Sequence, residues 1–157
     1  MILNGMSKMH VKGVVPYVPI DVGVTNTEPT FSFSSDKTII QLGNPANATG
    51  IITNVELNIG TSMVGLIIGT FSFSSGNTYI CKSSLSIGSL SVGINTLIDL
   101  SLSINVGDYI GCYYSSGSIY SPFTGAGLAW LSGSHISVND SGVYTISDRD
   151  LYLYGSG

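Results

Sequence analysis

The chain has 157 residues, of which 43% are hydrophobic and only 9% are charged, and its net charge is −4. This length is enough for one domain with its own core, and low charge combined with high hydrophobicity excludes an intrinsically disordered chain. The basic residues are scattered at Lys8, Lys12, Lys37, Lys82 and Arg149. Because nucleic-acid binding needs clustered positive charge, we expect no nucleic-acid partner.

The start of the chain differs from the rest of the sequence. Residues 1–12 contain three of the four methionines and show no clear alternation of apolar and polar residues. We therefore predict an N-terminal arm at 1–17, flexible or used for docking, followed by a single β-sandwich domain at 18–157. The densest apolar patch, MVGLIIG at 63–69, is far shorter than the about 20 residues of a membrane span, so no membrane partner is expected.

Alternation with a period of two dominates the predicted domain. TNVELNI at 53–59 places apolar side chains on one face and polar side chains on the other, as a half-buried strand does. INTLIDLSLSI at 94–104 is predicted to be another such strand. Four of its apolar residues are expected to face the core: Ile98, Leu100, Leu102 and Ile104. With turn residues at short intervals, this pattern predicts about ten to twelve strands in an all-β, antiparallel β-sandwich that is jelly-roll-like.

One short stretch occurs twice. FSFSSDKT begins at Phe31 and FSFSSGNT begins at Phe71, an offset that is typical of propeller blades. The residues between the copies do not repeat, and the chain is short for even four blades, so we reject a propeller. Each copy is instead predicted to form a hairpin, with an aromatic strand, a serine-rich turn and a returning strand.

The sequence carries no catalytic signature. His10 and His135 lie outside any pattern of acid and nucleophile, and a serine without a base is a weak nucleophile. Asp148 and Asp150 are candidates for a carboxylate pair that hydrolyses glycosides or for a calcium site, but a solvated strand end or cap is the favoured interpretation. We predict that the chain is not an enzyme and that it holds no cofactor and no metal.

The two cysteines, Cys81 and Cys112, allow two interpretations. They can form a disulfide if their strands are neighbours, or they can be buried thiols that behave as small hydrophobic residues. We favour the second interpretation and predict that both are free and buried.

The remaining informative feature is a run of aromatic residues interleaved with serine and glycine. It lies within YYSSGSIYSPFTGAGLAW and comprises Tyr113, Tyr114, Tyr120, Phe123 and Trp130. Aromatic rings on small, polar surfaces suit glycan or protein contacts. The alternative is that these rings fill the sandwich core, which is the favoured interpretation for Trp130. The low charge also leaves a monomer poorly protected against association, so a homo-oligomer is expected.

Several motifs follow one another along nearly the whole domain. They are NPANATGIITNVELNIGT at 44–61, VGLIIGTF at 64–71, SGNTYICKSSLSIGSLSVG at 75–93, VGDYIGCYYSSGSIY at 106–120 and LYLYGSG at 151–157. Their order resembles a β-sandwich module found in tail-fibre and other virion-surface structural proteins of tailed phages and environmental viruses.

The resemblance implies a non-enzymatic structural protein of a virion surface or extracellular assembly, either a decoration or a fibre subunit, with an adhesive role. Its partners would be further copies of the chain and other virion or surface structural proteins, with the arm as the docking element. The alternative hypothesis is a carbohydrate-binding module that recognises host or environmental glycans through the five aromatic residues named above.

Overall fold

The computed structural model describes residues 13–25, 31–122, 125 and 127–157. Within these ranges the chain forms fourteen β-strands and no helix, so none of its described segments is a helix able to cross a membrane. Every ladder between the strands is antiparallel. The predicted all-β, antiparallel sandwich is therefore confirmed, whereas the jelly-roll connectivity and the division into an arm and one domain stay predictions.

The strands vary greatly in length. In chain order they are β1 Asp21–Val24, β2 Ser32–Ser34, β3 Lys37–Gln41, β4 Gly50–Ile52, β5 Asn54–Ser75, β6 Thr78–Leu90, β7 Gly93–Leu97, β8 Leu102–Ile104, β9 Tyr109–Tyr114, β10 Ser116–Tyr120, β11 Leu128–Ser132, β12 Ser141–Val143, β13 Thr145–Ser147 and β14 Leu153–Ser156. The 22-residue β5 is far longer than an ordinary strand of about five or six residues.

Strand β5 belongs to both sheets of the sandwich. Its first half pairs with β14, β7 and β10 in sheet one, which β1 and β2 complete. Its second half pairs with β6 and β9 in sheet two, which β3, β11, β12 and β13 complete. Between the halves the register with β6 shifts from Met63 to Leu66, and Gly65 has a φ of 68°. This bend lets one strand change sheets.

The main core lies between the two sheets. Val55, Leu57 and Ile59 of β5 are buried in it, while the intervening polar residues are only half-buried, as the alternation of TNVELNI predicts. The short ladder of β4 and β8 adds Ile52, Leu102 and Ile104 to the same core.

A second, smaller core covers the outer face of sheet two. The segment after β11 brings Ile136 and Tyr144 onto Phe71, Tyr79 and Cys81. Glycines make this close contact possible: a Cβ added to Gly69 would lie 2.8 Å from Ile136, and one added to Gly111 would lie 2.7 Å from the Phe71 ring. Sheet two is therefore apolar on both faces.

Both cysteines are free and buried, as predicted. Cys112 lies in the main core and Cys81 in the outer one, so the two thiols point to opposite faces of sheet two. Burial raises the pKa of Cys81 to about 11 and that of Cys112 to about 12, which keeps both thiols protonated at neutral pH.

Two predictions about strands are wrong. INTLIDLSLSI is not one strand: it breaks at Asp99, whose φ is 57°, so that β7 pairs with β5 and β8 pairs with β4. Ile98, predicted to face the core, is 64% exposed at this break. The first FSFSS stretch is not a hairpin either, because β2 pairs with β10 in sheet one while β3 pairs with β9 and β11 in sheet two.

Candidate functional site

A groove of about 360 Å³ opens at one edge of the main core, where β2 of sheet one faces β11 and β13 of sheet two. Seven of the described residues line it: Ser32, Phe33, Ser34, Lys37, Trp130, Ser147 and Arg149. This described part of the lining combines two aromatic rings, three hydroxyls and two basic side chains, and it contains no carboxylate. Its volume falls within the range of ordinary ligand pockets, about 300 to 1,000 Å³.

The first FSFSS stretch builds one wall of the groove. After β2 the chain turns at Asp36, whose φ is 57°, and enters β3 at Lys37. Tyr114 anchors this turn twice: its phenol donates to the Phe33 carbonyl at 2.7 Å, and its carbonyl accepts from the Asp36 amide at 2.9 Å. Phe33 and Lys37 are therefore held on the same side of a fixed turn.

Trp130 forms the opposite wall. It lies on β11 directly across from Ile39 of β3 and Thr145 of β13, so its side chain points toward the main core. The indole is half-buried, and its ring centroid lies 6.3 Å from that of Phe33. One part of the indole thus packs on the core while the remainder borders the groove.

Lys37 lies over both rings. Its Nζ is 5.9 Å from the ring centroid of Phe33 and 5.9 Å from that of Trp130, within the reach of cation–π attraction. The ammonium also donates to Ser34 Oγ at 2.7 Å. The one close charged pair between described residues, His135 with Asp140, lies elsewhere, so Lys37 has no carboxylate partner within 4.0 Å. Positive charge is therefore concentrated at this groove.

Arg149 adds a second cation to the lining of the groove. Its guanidinium carbon lies 5.4 Å from the ring centroid of Phe31. Two of the five basic residues of the chain thus line one groove.

The other aromatic residues predicted as contacts do not form one platform with Trp130. Tyr113 and Tyr114 are consecutive on β9, so their side chains point to opposite faces. Tyr114 is fully buried in the main core, where it cannot reach a ligand. Tyr120, at the end of β10, is half-buried and absent from the groove lining, and Phe123 lies outside the described residues.

Tyr113 contacts the turn that forms one wall of the groove. Its phenol donates to Asp36 Oδ1 at 3.0 Å, on the turn that carries Lys37. Desolvation, followed by the nearby Asp36 carboxylate, raises the pKa of this phenol, so it remains a hydrogen-bond donor over the physiological range.

The candidate catalytic residues are dispersed. His135 Nδ1 lies 3.5 Å from Asp140 Oδ2 on the outer face of sheet two. Asp148 is exposed, as predicted for a solvated strand end, but that prediction is wrong for Asp150, which is fully buried. Gln41 Nε2 donates to Asp150 Oδ1 at 3.1 Å, so its buried neighbour is an amide and not a second acid. In the part of the chain that the structure describes, no three His, Cys, Asp or Glu residues are grouped as metal ligands.

A second cleft, of about 700 Å³, lies between the described N-terminal segment and the region around β4. This segment begins at residue 13 and joins the C-terminal end of the chain at Ile20, whose amide donates to the Gly157 carbonyl at 2.6 Å. Before that point its apolar side chains are strongly exposed: Val14 90%, Val15 85%, Tyr17 77% and Val18 54%.

No protein-family model matches the chain, and no curated protein sequence matches it.

Proposed function

We propose that the chain is a non-enzymatic structural subunit of a virion surface or another extracellular assembly, of the decoration or fibre type, and that it acts as a homo-oligomer. The observation that carries this proposal is a run of exposed apolar residues at the end of the predicted arm and directly after it. Residues 14, 15, 17 and 18 expose between 54% and 90% of their surface, which is costly in water and is relieved when a partner covers them.

A strand edge of the same domain can receive such an arm. Among the described residues, β7 pairs only with β5, and the second half of β6 also pairs only with β5. The other edge of each of these two segments therefore has no described partner strand. Residues 83–98, which span this edge, contain no charged residue and no proline. Strand edges in monomeric proteins are normally protected by such residues, so an unprotected edge favours pairing with another chain.

The arm itself dictates how it can pair. Pro16 has no amide hydrogen, so it must face away from the strand that the arm joins. Because amides alternate along a strand, Val15 and Tyr17 then donate to the neighbouring copy, while Val14 and Val18 face outward with Pro16.

Light scattering on the full chain, and on a truncated chain that begins at Val18, tests this proposal. We expect an oligomer that dissociates when residues 1–17 are removed. Val15→Pro should also dissociate it because it removes a pairing amide, whereas Val14→Pro is the matched control and should leave the oligomer intact. A full chain that is monomeric, or an oligomer that survives the truncation, would contradict the proposal.

A second candidate function is saccharide binding, which the Trp130 groove supports. A half-exposed indole beside serine hydroxyls offers both a stacking surface and hydrogen bonds to a sugar ring. The two functions are compatible in one adhesive subunit, but they are separable by experiment. Truncation of the arm should abolish assembly and leave saccharide binding unchanged.

A further inference from the structure

We infer that the Trp130 groove selects an anionic saccharide, one whose carboxylate or sulfate group contacts the Lys37 ammonium. This inference rests on the second candidate function given above, and it adds the charge of the ligand. It concerns a site that is distinct from the arm and from the edge of β6 and β7.

Lys37 has hydrogen-bonding capacity that the protein does not use. An ammonium carries three donors, and the structure gives Lys37 one acceptor, Ser34 Oγ at 2.7 Å. The residue is half-buried, but its ammonium lies at an exposed hydrogen bond, where solvent and ligands can reach its remaining donors. A cation with unused donors, and with no carboxylate of the described residues within 4.0 Å, can take an anion from outside.

The Lys37 ammonium lies close to the aromatic surface on which a sugar ring would stack. The ammonium lies 5.9 Å from the centroid of the indole, so a sugar that contacts Trp130 places a substituent of its ring near Nζ. The hydroxyls of Ser34 and Ser147 border the same space. Because Ser34 Oγ accepts from Lys37, its own hydrogen remains available to donate to the ligand.

The described lining of the groove carries no negative charge. None of its described residues is acidic, although the whole chain has a net charge of −4. An anion that enters the groove therefore meets the Lys37 ammonium without a carboxylate among the described lining residues.

Tryptophan fluorescence tests the inference directly, because Trp130 is the single tryptophan of the chain. The full chain is titrated with trigalacturonic acid, with its carboxyl-reduced neutral counterpart, and with the same neutral trisaccharide after a sulfate ester has been added to it. Sodium sulfate alone is the fourth ligand. We expect at least about tenfold tighter binding of the acidic trisaccharides than of the neutral one, the effect of one charge-assisted hydrogen bond. The preferred acid, carboxylate or sulfate, identifies the anionic group.

Two variants complete the test. Lys37→Gln should reduce affinity for the acidic trisaccharides to that of the neutral one, while thermal unfolding shows that the fold is retained. Lys82→Gln, at an exposed lysine on β6, is the matched control and should change neither affinity.

The outcomes separate the two hypotheses. Equal binding of neutral and acidic trisaccharides would overturn the selection of an anion and leave saccharide binding standing. Binding of none of the sugars would overturn both, and sodium sulfate bound as tightly as the acidic sugars would overturn the saccharide while keeping an anion site.

Discussion

The two FSFSS stretches are nearly identical in sequence and opposite in burial. In the first, Phe31 is 46% exposed and Phe33 is 8% exposed, whereas in the second Phe71 is fully buried and Phe73 is 52% exposed. The residue that follows each stretch has the same left-handed backbone, with a φ of 57° at Asp36 and of 56° at Gly76. The two stretches therefore share this left-handed residue, but they differ in which of the two rings is buried.

The difference comes from the strands that each stretch joins. The second stretch is a hairpin within sheet two, where its first ring, Phe71, packs under the segment that carries Ile136. The first stretch crosses between sheets, so its second ring, Phe33, enters the main core and the groove. The phenylalanines of the two stretches thus have different roles: Phe71 stabilises the outer core, and Phe33 shapes a candidate binding site.

The largest effect is expected within the second stretch. Phe71→Ala should lower the free energy of unfolding by about 3 to 5 kcal/mol, because it leaves a cavity beside Gly111 and Tyr79. The matched variant Phe73→Ala should cost less than about 1 kcal/mol, since half of that ring already faces water. Chemical denaturation measures both, and equal losses would mean that the two rings do not differ in burial.

An intermediate effect is expected at the hydrogen bond that anchors the first stretch. Tyr114→Phe removes the donor to the buried Phe33 carbonyl and should cost about 1 to 2 kcal/mol at neutral pH. Tyr17→Phe, at an exposed side chain, is the control and should be neutral.

The same tyrosine should also make stability depend on alkaline pH. Burial raises the pKa of the Tyr114 phenol far above its ordinary value, so the unfolded chain loses this proton near pH 10 while the folded chain retains it. Its contribution is therefore fully present below about pH 10 and decreases as the pH rises further. Unfolding measured across this range should show a shallower loss for Tyr114→Phe than for the unaltered chain; identical slopes would contradict the assignment.

The smallest effect is expected at the turn of the second stretch. Gly76→Asp should cost no more than about 1 kcal/mol, because aspartate tolerates the left-handed conformation and an added Cβ meets no atom within 4 Å. Gly76→Val should cost clearly more, since a β-branched residue disfavours this φ. Thermal unfolding ranks the three chains, and a valine variant as stable as the aspartate variant would show that the turn is not constrained at this position.

The sequence predicts a strand correctly where the whole segment pairs within one sheet and one of its faces lies in the core. Val55, Leu57 and Ile59 alternate with polar residues because β5 has one face in the main core, and that pattern is local. It was insufficient at Asp99, where a single left-handed residue splits the predicted strand between two ladders. The alternation of apolar and polar residues does not reveal this break, because the partner strands β4 and β5 lie far away in sequence.

Only part of the groove can be predicted from the sequence, for the same reason. Trp130 was among the predicted contact residues, but Phe33 and Lys37 were not, since they come from a distant stretch that was interpreted as a hairpin. The one usable signal was the lysine that follows the first FSFSS stretch, where the second copy has Asn77. The pairing of β3 with β11, which brings this lysine to Trp130, is long-range. Assembly, adhesion and the virion-surface location stay proposals.

The shared strand β5 has a mechanical consequence. Because one continuous backbone supplies hydrogen bonds to both sheets, a load applied to sheet one passes to sheet two through covalent bonds and not only through side-chain contacts across the core. The sheets cannot slide apart while β5 is intact, so rupture requires that its ladders shear. For a subunit held in place at its edges, this makes the sandwich behave under tension as a single element.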